Sequence, residues 1–185
     1  VDALQVADLP ATLLFAVLHL LTMLIRKVLA TGGAVQLDAL LMDARIFRVF
    51  AAHFPAIADA VVADSAGTGE VAMASHVLQR TEMCKLALSV VNWLMYNMHD
   101  RRQTAAQNRL HDGASAALCT LAVLSSIRTV LHTTSVSHNV RECAFELMVS
   151  LCQTNNSAIT YYRSQDVLPV FIAYGAVFKA GAAYY

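Results

Sequence analysis

Apolar residues recur at steps of three and four along most of this chain. The stretch NVRECAFELMVSLC places Val140, Cys143, Ala144, Leu147, Met148, Leu151 and Cys152 along a narrow helical stripe with nothing charged among them. A second stripe, Met83, Leu86, Ala87, Val90, Val91, Leu94 and Met98, has the same form, with Lys85, Ser89, Asn92 and Tyr96 on its other side. Strand-like alternation is nearly absent. Three prolines and seven glycines punctuate the chain only rarely. The pattern predicts helices over 9–30, 35–52, 55–64, 70–98, 103–110, 114–134, 137–152, 157–164 and 167–180, an all-α fold.

Each of the two stripes is followed by a polar break, a short helix and another apolar helix: NMHDRRQTAAQNRLHDGASAALCTLAVL after the first in the chain, QTNNSAITYYRSQDVLPVFIAY after the second. A looser copy runs from VQLDALLMDARIF into HFPAIADAVVAD. The small anchors Ala39, Ala87 and Ala144 fall 48 and 57 residues apart. Periods of this size predict a solenoid, in which no unit buries its apolar face alone and stacking completes the core.

The last unit, clearest over residues 139–175, resembles an armadillo repeat. In that family a helix with V-x-x-x-A-L-x-x-L-x-x-L-A precedes an Asn-containing turn, a second helix, and a third opened by a small residue and A-L-P. Val140, Ala144, Phe145, Met148, Leu151 and Cys152 stand at the first set, Asn155 at the turn, and Val167, Leu168 and Pro169 at the last, with Asp166 where the family has glycine. VADLPATLL, through Leu9 and Pro10, looks like another such opening, and DGASAALCTL keeps the glycine as Gly113 without the proline. The units run longer than the family's roughly 42 residues, and HEAT-type repeats are the related alternative.

The resemblance implies an armadillo-like right-handed α-superhelix of about three to four degenerate repeats. It divides the single domain 1–185 into a partial repeat 1–31 and repeats 35–64, 70–134 and 137–185. Family members bind extended peptides or proteins along a groove formed by their third helices. Nuclear import adaptors carry Trp and Asn at two positions of each such helix. The matching positions here are Glu146 and Ser150 in the last unit and Ser89 and Trp93 in the earlier one. That ladder is missing, so what the resemblance implies is a general protein-binding surface rather than nuclear-signal recognition.

Composition sharpens this expectation. Hydrophobic residues make up 57% and charged residues 14%, against roughly 45–50% and about 25% in typical soluble domains. The excess apolar surface calls for cover by partners or further repeats, which fits a segment of a larger protein within a multi-subunit assembly. Thirteen basic residues balance thirteen acidic ones, which leaves no field to collect nucleic acid or anionic lipid. Cys84, Cys119, Cys143 and Cys152 form no C-x-x-C pair and sit in apolar helical runs, the usage of a reducing, intracellular compartment, cytoplasmic or cytoskeletal. The sequon at Asn155 reads as chance on that basis.

The stretch Leu9 to Ile25 contains seventeen residues without an acid, lysine or arginine. A membrane span takes about 20 apolar residues, and this run includes Pro10, Thr12, His19 and Thr22. Asp8 at an N-cap position and Pro10 in the first turn open it as a buried soluble helix opens. A membrane-complex subunit anchored by residues 9–30 is the alternative reading.

The seven histidines include no i, i+4 pair and no H-E-x-x-H, so no metal site is expected. The pairs His99–Asp100 and His111–Asp112 read as solvated turns, with no nucleophile at a recognisable spacing. Gly67 to Gly69 lack the strand that would make them a phosphate cradle. No catalytic residue, cofactor or small-molecule substrate is expected. The candidate contact residues for partner proteins are Trp93 and Tyr96 beside the basic loop of Arg101, Arg102 and Arg109, a docking site for an acidic partner, together with Glu146 and Ser150.

Overall fold

The computed structural model describes residues 45–66, 74–100 and 105–167, together with Leu20, Met23, Lys27, Pro169, Val170 and Ile172. Among the described residues the regular structure is six helices and no strand: α1 (Arg45–Ala66), α2 (Ala74–Asp100), α3 (Ala105–Leu118), α4 (Leu121–His132), α5 (His138–Thr154) and α6 (Asn156–Ser164). The all-α expectation holds. Most of the predicted helix 9–30, the start of 35–52 and most of 167–180 lie outside the described residues. Within the first of these, Leu20, Met23 and Lys27 are exposed.

Two predicted helix breaks move. Pro55 lies inside α1 rather than opening a second helix. A proline within a helix removes one backbone bond and costs about 3 kcal/mol or more, and here a continuous buried face offsets that loss. Phe47, Phe50, Phe54, Ile57, Ala58 and Val61 are all buried, and the rings of Phe50 and Phe54 stack at 4.7 Å. Residues Ile46–Ala66 are long and apolar enough to cross a membrane by length and composition, but this face of the helix is covered by protein.

The second break falls at Cys119–Thr120, and Gly113 lies within α3. A single glycine in a helix costs only about 1 kcal/mol, while His111, Ala114, Ser115 and Leu118 around it are buried. Thr120 then opens α4, its hydroxyl oxygen accepting the backbone N–H of Val123 at 3.3 Å. The chain bends by 67° there. His111, expected in a solvated turn, is consequently a core residue of α3, its Nδ1 3.7 Å from the Asp112 carboxylate.

Helices distant in sequence pack together, and α3 lies against α1, α2 and α5. α1 lies against α4 and α2 against α5, in addition to the neighbour contacts α1–α2, α4–α5 and α5–α6. α2 packs against α1, α3 and α5. Two adjacent rows of its surface, Met83, Ala87, Val90 and Leu94, then Cys84, Leu88, Val91 and Met95, are buried, whereas Leu86 is half-buried. α5 buries Val140, Ala144, Phe145, Leu147, Met148 and Leu151, which reproduces the predicted stripe with Cys143 and Cys152 on its flanks. Asn155 ends α5 and caps α6, its side-chain oxygen accepting the Ser157 N–H at 2.9 Å. Tyr162 of α6 is buried and donates its hydroxyl proton to the Leu124 carbonyl at 3.4 Å.

The four cysteines are free thiols. Burial pushes the Cys84 pKa up to about 12 and those of Cys119 and Cys152 up to about 11. In the unfolded chain they titrate near pH ~8.5, so the folded state holds protons that the unfolded state releases. The contribution of these thiols is full below roughly pH 8.5 and is lost as pH rises toward the folded values. The urea midpoint is expected to be lower at pH ~9.5 than at pH ~7.5; an equal midpoint at both contradicts the burial of the thiols.

Candidate protein-binding groove

The seam between α2 and α5 is built by the polar row of α2. Asn92 donates its amide protons to the Cys143 carbonyl at 2.8 Å and to Glu146 Oε2 at 3.2 Å. The Ser89 hydroxyl lies 3.4 Å from Cys143 Sγ. These contacts close the seam on one side. On the other it opens into a groove of about 500 Å³ lined by Ser89, Asn92, Trp93 and Tyr96 of α2 and by Phe145, Glu146, Val149 and Ser150 of α5.

Helical spacing accounts for the set. Residues 89, 92, 93 and 96 share one face of α2, and 145, 146, 149 and 150 share one face of α5. Phe145 is buried at the floor, Trp93 and Val149 are half-buried, and Tyr96 stands 70% exposed. The groove therefore offers an apolar base with a polar edge, the mixture found at the centre of partner-binding surfaces.

Its electrostatics come from α5. Burial raises the Glu146 pKa, the Glu142 carboxylate one turn away raises it further, and the Asn92 amide opposes both. Asn92 Oδ1 is itself buried and accepts no hydrogen bond. The Cys143 thiol is pushed up chiefly by burial, against the Ser89 hydroxyl, which suppresses the thiolate a nucleophile requires. Among the described residues no histidine lines the groove and no three His, Cys, Asp or Glu side chains cluster as metal ligands.

Four of the sequence-predicted contact residues meet here: Trp93, Tyr96, Glu146 and Ser150. Arg109 does not join them; it is exposed on α3. Arg101 and Arg102 lie outside the described residues. Asn92, Phe145 and Val149 line the groove without having been expected to. For Asn92 the available signal was its place in the polar row Lys85, Ser89, Asn92 and Tyr96, opposite an apolar stripe. The chain matches no protein-family model, no curated protein and no solved structure.

Proposed function

We propose that this chain is a non-enzymatic protein-interaction module whose α2–α5 groove docks a segment of a partner protein within a larger assembly. The observation that carries this reading is the groove itself: the sole tryptophan of the chain and an exposed tyrosine share an open, largely apolar cleft with four residues of a second helix. Aromatic anchors in such clefts supply most of the binding energy in protein interfaces.

An armadillo-like stacking of helices supports the same reading. Stacked three-helix units place a helix against the one three places on, and α1 meets α4 and α2 meets α5 in that way. The pairs Ser89 and Trp93, Glu146 and Ser150, which align with the groove positions of that family, line one cleft. Asp166, at the position where the family has glycine, has a φ of 51°, the left-handed conformation that glycine adopts freely and Asp tolerates better than most residues.

Site-specific photocrosslinking tests the docking. A benzophenone side chain at Ser150 is expected to attach the chain to a discrete partner in extracts, and one at exposed Thr160 of α6 is not. The same products from both positions, or none from Ser150, contradict the proposal.

A further inference from the structure

We infer that the residue the groove recognises in its partner is an arginine, seated between the Glu146 carboxylate and the rings of Trp93 and Tyr96. The inference rests on the docking reading above and specifies the chemistry of its occupant. Two kinds of acceptor meet in the cleft. The Glu146 carboxylate holds one amide proton from Asn92 and forms no ion pair among the described residues. Trp93 and Tyr96 bring π-faces to the same cleft, surfaces that attract a cation.

Charge complementarity selects a cation over a neutral donor. Glu142 lies one turn from Glu146 on α5, close enough to oppose its ionisation. Lys85, on the same row of α2, is engaged with Glu82 at 3.4 Å. Among the described residues the groove lining carries one charge, the Glu146 carboxylate, in a partly desolvated setting, where an added cation gains more than it would in bulk water. Among biological cations the guanidinium fits best. Its planar fork can pair with a carboxylate through two donors at once; it stacks on aromatic faces, and it is more weakly hydrated than an ammonium. Phe145 and Val149 then accommodate an apolar neighbour of that arginine.

The test is selection of a random seven-residue peptide library on the 185-residue chain, keeping peptides that the Tyr96→Ala chain fails to bind. Affinities are read from Trp93 fluorescence, free of interference because the chain has one tryptophan. The kept peptides are expected to share an arginine, and its replacement by citrulline, the neutral isostere, to weaken binding at least about tenfold. Glu146→Gln, which preserves an acceptor for Asn92, is expected to reproduce that loss and to leave the citrulline peptide unaffected. Kept peptides that lack arginine, carry lysine in its place, or tolerate citrulline overturn the arginine inference and leave the docking reading standing. If no peptide depends on Tyr96, both fall.

Discussion

Replacing Phe54 by alanine is expected to lower the unfolding free energy by about 3–5 kcal/mol, the cost of emptying a buried aromatic site. Phe54 has no solvent exposure and stacks on Phe50. Its helix touches α2, α3 and α4, so the cavity would open where four helices meet. The adjacent Pro55 supplies no backbone N–H, leaving α1 one hydrogen bond short beside that cavity. Total stabilities of domains lie near 5–15 kcal/mol, so the variant should lose a large share of its cooperative transition. Urea denaturation followed by circular dichroism measures it, and a loss below about 1 kcal/mol contradicts the placement of α1 at the centre of the core.

Tyr96→Ala should behave in the opposite way. The side chain is 70% exposed, and surface substitutions of this kind usually change stability by no more than about 0.5 kcal/mol. Binding of the partner captured by the wild-type chain is expected to fall about thirtyfold, corresponding to about 2 kcal/mol for an interface anchor. Exposed Leu121 of α4 lies outside the groove, and Leu121→Ala should leave capture unchanged. Comparable losses from both variants would show that partners are held by apolar exposure in general rather than by this cleft.

The helices were legible because each carries a stripe at helical spacing, and α5 shows how far that goes. Val140, Ala144, Leu147, Met148 and Leu151 were all identified from steps of three and four, and all are buried. α2 was read less well. Its sequence admits several apolar rows, and the choice of Leu86 over Leu88 could not be made before knowing that α1, α3 and α5 surround it. Pro55 and Gly113 misled for one reason: local propensity is weak beside the burial of the residues around them. The same burial converts His111 from an expected turn residue into a core residue.

The groove was half legible. Trp93, Tyr96, Glu146 and Ser150 stood out from the aromatic pair and from the alignment of two apolar helices, which the structure sets side by side. Asn92 did not, because its importance lies in the Cys143 carbonyl and the Glu146 carboxylate, which are 51 and 54 residues away in sequence. Arg109 was grouped with Trp93 by nearness in sequence, but it lies exposed on α3, outside the groove lining. Arg101 and Arg102, the rest of the expected docking site for an acidic partner, lie outside the described residues, and the charged residue of the groove lining is Glu146.

The most direct test of the central claim, that partners dock between α2 and α5, is amide hydrogen exchange of the chain alone and with its captured partner. Protection should rise together over residues 89–96 and 145–150 and stay unchanged over α6, residues 156–164. Protection confined to other helices, or spread evenly over the chain, would contradict the account.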